Sequence, residues 1–457
     1  MMYSEESYQD MIEDDYVYYE ETEDDFMRVY EYCTLPTIKQ TSHFVLVLLL
    51  HCLAFNGLTK IFAHGKHNMH AIATILGLMY VFGFALRGSL EALFVIPLVL
   101  LSHNALHHLN ARSMQPIVVI GPIFAFILIF CEFFGPDREA WLKMRSVVMI
   151  AMMKIISLAC EVHKSKEVPS LLEYNGYLWC PANVVLGPWM SFKEYKARSW
   201  SQRVLGVEWI WSVIKYASMS LIFACCSNCI ASFMLDDHNN VFVVAFRQAL
   251  CFRMSHYFIS YAASAAMVAA GFSDDAKKPW TYAIANPLEI EAPRSLASVV
   301  TNWNVPTHTF LKRYVFPAVL PHGYFAAITV TFLASSMLHG MSVEVSVVLL
   351  TLGVFSYAQT KFQDRVASLL DCCVRVKACR NCKHSRGGRS LLATACNALF
   401  TLSTMILLTY VGCLMDDVGE DRTARDILLN IYDRWTQLFG VGHLIAVFCI
   451  SFAWISR

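Results

Sequence analysis

The chain has 457 residues, of which 56% are hydrophobic and 16% charged, and its mean hydropathy is +0.45. Soluble proteins carry about 45–50% apolar and roughly 25% charged residues. A chain this long and this apolar has too little polar surface to cover itself in water. The composition excludes a soluble enzyme, a disordered scaffold and a nucleic-acid binder, and it identifies a multi-span membrane protein. Lysine plus arginine equals aspartate plus glutamate at 36 each, but the charge is unevenly spread.

In chain order, residues 1–35 hold twelve acids and a single base, Arg28, so the remainder carries a matching positive excess. This stretch is rich in tyrosine and lacks an apolar period, so residues 1–40 read as a solvated, disordered tail ahead of a membrane domain at 41–457. Nothing before residue 43 has the basic start and short apolar core of a signal peptide, and the first span is expected to target the chain. A helix needs about 20 apolar residues to cross a bilayer. Apolar runs fall at 43–63, 69–87, 89–103, 115–134, 143–162, 208–234, 241–271, 324–340, 342–359, 391–415 and 436–456. The expected fold is therefore all-α, a polytopic bundle of about ten or eleven spans. The run 176–192 is apolar but carries Gly176, Pro181, Gly187 and Pro188. Irregular backbone survives at membrane depth only inside protein or beside a wet cavity, so this run reads as re-entrant.

The loop 371–389 carries Arg375, Lys377, Arg380, Lys383, Arg386 and Arg389 against Asp371, which assigns it to the cytosol. Two spans follow, so the C-terminus is expected there too. The acidic loop 415–434 suits the opposite face, and an odd number of spans places the N-terminal tail there as well. No sequon fixes topology independently. Nine of the sixteen cysteines sit in apolar runs, where thiols act as small hydrophobes, and no disulfide framework is expected.

Two features carry candidate chemistry. In FLASSMLHGMSVEV, His339 sits near the end of an apolar helix with Ser335 one turn earlier and Ser336 beside it. An ionisable group within a span is costly and points to function, although a histidine bonded between helices is the plainer alternative. In SLASVVTNWNVP, Asn304 stands between Trp303 and Val305-Pro306. Such an asparagine is ordinarily a cap or loop residue, and only its pairing with His339 raises it. Elsewhere, His103 and His107 have helical ligand spacing without a carboxylate or cysteine beside them. Arg247, Arg253 and His256 lie in or beside the run 241–271, where helix pairing explains them as well as function. Cys372, Cys373, Cys379, Cys382 and His384 end in a CxxCxH that hints at zinc, but the spacing is not that of a standard finger and S-acylation of a membrane-flanking cysteine is the favoured alternative. No metal is assigned.

A histidine on an apolar helix, preceded at this distance by a Trp-Asn pair, resembles the membrane-bound O-acyltransferase family. The supporting stretches are GPWMSFKEY (187–195), FRMSHYFISYAASAAMVAAGF (252–272), APRSLASVVTNWNVP (292–306), KRYVF (312–316) and LASSMLHG (333–340). The flanking stretches resemble most the branch that acylates Wnt proteins. The resemblance implies a catalytic tunnel within the bundle, in the endoplasmic reticulum membrane. It implies transfer of a palmitoleoyl group from palmitoleoyl-CoA, a co-substrate rather than a bound cofactor, to a serine of a Wnt protein for secretion and signalling. His339 would be the general base and Asn304 the oxyanion donor or substrate positioner, with Trp303, Ser335 and Ser336 as substrate-binding candidates. Membrane lipids would be the other partners. Two readings compete: a lipid O-acyltransferase acting on a sterol or lysophospholipid, and a transporter or receptor without chemistry. Visible repeated halves would favour the transporter, and none is seen.

Overall fold

The computed structural model describes residues 23–62, 66–85, 95–110, 115–134, 138–197, 206–235, 240–272, 282–339, 342–377, 379, 382, 384–388, 390–415 and 424–456. The acidic residues Asp416, Asp417, Glu420 and Asp421 lie outside them. The apolar runs anticipated from sequence are helical over nearly all of their described residues, with turns at 270–271 and 438–440. The principal helices are α1 (Leu35–Phe62), α2 (Lys66–Tyr80), α3 (Val95–Asn110), α4 (Pro116–Phe134), α5 (Arg138–Ser165), α6 (Leu171–Leu178), α7 (Phe192–Ala197) and α8 (Val207–Cys225). They continue with α9 (Val241–Ala269), α10 (Leu296–Trp303), α11 (Val305–Phe310), α12 (Tyr324–Leu338), α13 (Val343–Leu369), α14 (Leu391–Gly412), α15 (Ala424–Gln437) and α16 (Val441–Ile455). Named strands are absent among the described residues.

Length and composition alone mark fewer crossing helices than there are apolar runs. Among the described residues five helices are each long and apolar enough to cross alone, or six if α15 and α16, bent by 73°, make one span. The difference is physical. The 29-residue α9 is about 44 Å long, enough to cross, but it packs on α8, α1 and α14 inside the bundle. A helix covered by protein can carry Arg247, Arg253 and His256, and these polar residues dilute its hydropathy. α2, α4 and α12 are apolar but short.

The N-terminal boundary also moves. A short helix begins at Glu23 and leads through a wider turn at Tyr30–Thr34 into α1, so residues 23–40 are ordered rather than tail. The reason is covalent: Cys33 is disulfide-bonded to Cys229, in the wider turn Cys226–Ile230 that follows α8, against the expectation of no disulfide framework. Neither cysteine has a partner near in sequence, and 196 positions separate them. Alkylation of denatured, unreduced protein is expected to label the fourteen free cysteines, and all sixteen after reduction. Intact mass measures this, and sixteen labels without reductant would remove the bond.

The broken run 176–192 is buried irregular backbone held by a lysine. Lys154 of α5 is wholly buried, and its Nζ donates to the carbonyls of Tyr177 (3.0 Å) and Leu178 (3.1 Å) and to Asn183 Oδ1 (2.8 Å). Asn183 Nδ2 in turn donates to the Pro188 carbonyl, Tyr177 to the Met190 carbonyl, and Trp189 Nε1 to Ser157 Oγ. α6 abuts α2 at two glycines: a Cβ on Gly77 would lie 1.5 Å from the Trp179 oxygen, and one on Gly176 would lie 2.8 Å from the His70 backbone. Lys154→Met leaves three buried acceptors without their donor, and each orphan costs about 1–3 kcal/mol. A fall in the detergent-solubilised melting temperature, with loss of at least about 3 kcal/mol, is expected; an unchanged melting curve would contradict this role.

At the far end of α13, the basic loop folds back on itself. Asp371 accepts from Ser385 N at 2.9 Å and from His384 Nδ1 at 3.1 Å. These bonds, those from Ser385 foremost, pull its carboxyl below the usual carboxylate range, to about 2.

Candidate functional site

Two segments distant in sequence meet at one cavity. α12 ends at Leu338, and His339 is its capping residue, with its backbone N–H shared between the Ser335 and Ser336 carbonyls at 3.1 Å each. α10 ends at Trp303, and Asn304 breaks the chain between α10 and α11 with φ −138° and ψ 79°. Its Oδ1 accepts from Thr307 N at 3.1 Å, which caps α11. With Oδ1 engaged, the Nδ2 hydrogens are the donors left at that end of the amide. The backbone on both sides is clamped: Asn286 N donates to the Asn302 carbonyl and Val305 N to the Ile284 carbonyl.

The cavity enclosed between α9, α10, α11, α12, α13 and α14 has a volume of about 640 Å³, within the usual range for ligand pockets. His339, Asn304, Trp303 and Ser335 all line it. Its remaining wall is chiefly apolar, with Val299, Leu311, Phe316, Ile328, Phe332 and Leu352 among the contributors. An apolar chamber with few polar groups suits an acyl chain approaching a small reactive centre.

The other expected residues separate by role. Ser336 is not on that wall; its hydroxyl meets Ser346 Oγ of α13 at 2.5 Å, a bond between helices. Trp303 is fixed by His256, whose Nε2 donates to the Trp303 carbonyl at 2.8 Å and whose ring stacks on the indole at 4.4 Å. Phe252 stacks on the same indole at 5.7 Å. His256 thus fixes the residue next to Asn304. Arg253 also lines the cavity, and it is buried and paired with Glu291 at 2.8 Å, which also accepts from Tyr257 at 2.7 Å. Arg247 faces a separate cleft with Ser227 and Gln248. His103 donates to the Pro169 carbonyl at 3.1 Å and packs on His107 and Tyr174, so its ring is engaged in packing rather than in a cluster of ligands.

Arg145, Thr307, His308 and Lys312 also line the cavity and were not singled out from sequence. Thr307, His308 and Lys312 follow Asn304 by three, four and eight residues on α11 and the turn after it, so their helical spacing from Asn304 was a usable signal. Arg145 on α5 had none, because only tertiary packing brings it to this wall.

Residues 125–367, just over half of the chain, match the family model described as MBOAT, the membrane-bound O-acyltransferase family. The chain belongs to this family. The matched span contains both His339 and Asn304. Among membrane-bound O-acyltransferases and their kin, the chain is 29% identical over 469 residues to the protein-serine O-palmitoleoyltransferase porcupine of Anopheles gambiae, covering 93% of this chain and 92% of that protein. It is 29% identical over 454 residues to porcupine of Homo sapiens, covering 93% and 97%. A weaker likeness, 27% over 338 residues and 60% of this chain, reaches membrane-bound glycerophospholipid O-acyltransferase 1 of Mus musculus.

Proposed function

We propose that this protein transfers a cis-monounsaturated sixteen-carbon acyl group from palmitoleoyl-CoA to a serine hydroxyl of a Wnt protein at the endoplasmic reticulum membrane. The observation that carries the reading is the meeting of His339 and Asn304 on one apolar cavity from separate segments of the chain. The near end-to-end similarity to porcupine supports the protein acceptor over a lipid one.

The chemistry follows from the two side chains. Neutral His339 accepts the serine proton as the serine oxygen attacks the thioester carbon. The carbonyl π pair moves to oxygen, where Asn304 Nδ2 donates to the developing oxyanion. Collapse re-forms the carbonyl and breaks the C–S bond, and the proton held by His339 accompanies the departing coenzyme A thiolate. No acyl-enzyme is required. Arg145 and Lys312 add positive charge to the wall of the chamber, which suits an anionic donor.

Sidedness is read from two further features. A disulfide persists in an oxidising compartment, so Cys33–Cys229 supports a lumenal N-terminal side. Arg365 Nε donates to the Ala453 carbonyl, which brings the end of α16 beside the end of α13 that leads into the basic loop. Positive loops stay in the cytosol, and this supports a cytosolic C-terminus. With donor and acceptor on opposite faces, the chamber has to communicate with both.

The test uses cells lacking endogenous activity, fed alkyne-tagged palmitoleate and expressing a Wnt protein with this chain. Label on a Wnt serine that requires the intact chain is the expected result. Label in the lipid extract without label on Wnt would replace the reading with a glycerophospholipid-type acyltransferase. No label in either fraction would overturn acyl transfer.

A further inference from the structure

Three thiols outside the acyl-transfer chamber gather where the chain leaves α13. The Sγ atoms of Cys373, Cys379 and Cys382 all lie within 4.8 Å of one another, although up to nine positions separate them. They are free cysteines, so the cluster is not a disulfide knot. Four ligands arranged tetrahedrally at a zinc–sulfur distance of about 2.3 Å place sulfurs about 3.8 Å apart. The observed grouping is therefore within about 1 Å of that geometry. We propose that Cys373, Cys379 and Cys382 bind a structural zinc ion, with His384, whose ring lies outside the 4.8 Å grouping, turning in as the fourth ligand.

The surroundings are built for such a site. Cys373 is buried and its backbone is fixed on three sides: its N–H donates to the Arg386 carbonyl at 3.1 Å, while its own carbonyl accepts from Arg294 Nη2 at 2.7 Å and Asn397 Nδ2 at 3.3 Å. Arg294 Nη2 also reaches the Cys373 sulfur at 3.9 Å, which favours a thiolate there. Cys379 is half-buried and Cys382 exposed, so the ion has an entry path from solvent. His384 follows Cys382 by two residues and donates Nδ1–H to Asp371. A carboxylate on one imidazole nitrogen leaves the other as the ligand, the arrangement usual for zinc-bound histidine. Three thiolates and a neutral imidazole leave a zinc site one unit negative, and the surrounding loop is basic in sequence. Soft thiolates with a histidine select zinc over the hard cations.

Such a site would be closed and structural, remote from the chemistry. It would nevertheless fix the chamber's frame. Arg294 binds the carbonyls of Cys373 and Arg375 with its guanidinium, and its own carbonyl accepts from Gln363 of α13. The next residue, Ser295, caps α10, whose other end presents Trp303 and Asn304. An ion that closes the loop thus holds the root of the helix carrying the oxyanion donor. The proposal stands independently of which acyl acceptor the protein uses.

The full chain, purified in detergent without chelator, is expected to contain about one zinc per molecule by elemental analysis. The double variant Cys379→Ser/Cys382→Ser should lose it. After stripping with a chelator under reducing conditions, cobalt(II) added to the unmutated protein should give a thiolate-to-cobalt charge-transfer band. Asp371→Asn should weaken metal affinity about 10- to 100-fold by freeing the imidazole. If the double variant does not fold, the cobalt titration and the Asp371→Asn affinity decide alone. Stripped protein that gives no charge-transfer band would overturn the proposal. So would a double variant that retains its zinc, or mass spectra showing Cys379 or Cys382 occupied by a thioester-linked acyl group in most molecules.

Discussion

His339→Ala is expected to lower acyl transfer by about 10²- to 10⁴-fold, the usual worth of a positioned general base, while leaving the amount of folded protein unchanged. The second half of that expectation comes from the site itself. His339 caps α12 through its backbone N–H, which alanine also possesses. The side chain meets the chamber rather than anchoring one helix to another. Deleting it therefore removes a base and opens space without orphaning a backbone group. Label on Wnt serine, normalised to the protein's abundance, measures the loss. Ser336→Ala supplies the contrast on the same helix. Its hydroxyl is spent on Ser346, so its loss should change the rate by less than about tenfold and register in stability instead, by roughly 1 kcal/mol. Equal labelling by His339→Ala and the unmutated chain would remove histidine from the mechanism.

The sequence made the helices legible because a membrane imposes one strong rule: every buried backbone group must be satisfied within its own segment. Apolar runs consequently became helices at the expected places. The irregular run 176–192 was legible for the same reason in reverse, since prolines and glycines within an apolar stretch require protein around them. Lys154, which supplies that surrounding, was not, because nothing in the local pattern of α5 shows that three acceptors from residues 177–183 converge on it. The Cys33–Cys229 bond escaped for a related reason. Each thiol sits in a stretch whose neighbours explain it adequately, and only the approach of the chain before α1 to the end of α8 pairs them. At the candidate site, His339 stood out as a polar residue that its apolar helix does not explain, and Asn304 only through its pairing with His339. Ser336 lies beside Ser335 but faces elsewhere: the one-turn spacing from His339 belongs to Ser335, and Ser336 turns to α13. His256 read equally as a helix pair or a functional residue, and its hold on Trp303 is a contact made across 47 positions.

Asn304 carries two duties that can be separated by substitution. Its Oδ1 caps α11, and an amide's Nδ2 is the group that donates to an oxyanion. Asn304→Ala removes both: the cap is worth about 1 kcal/mol and the donor about 10²- to 10³-fold in rate. Asn304→Asp keeps a side-chain oxygen for Thr307 N, and aspartate caps as well as asparagine, but it has no amide hydrogens and puts a negative charge where one must develop. If stabilising the oxyanion is the role, the aspartate variant should melt like the unmutated protein yet transfer acyl groups no faster than the alanine variant. If capping is the whole role, the aspartate variant should restore activity as well as stability. Rate and melting temperature are therefore read on the same three preparations. Activity that follows the melting temperature assigns Asn304 to the scaffold, and activity lost without any fall in melting temperature assigns it to the reaction.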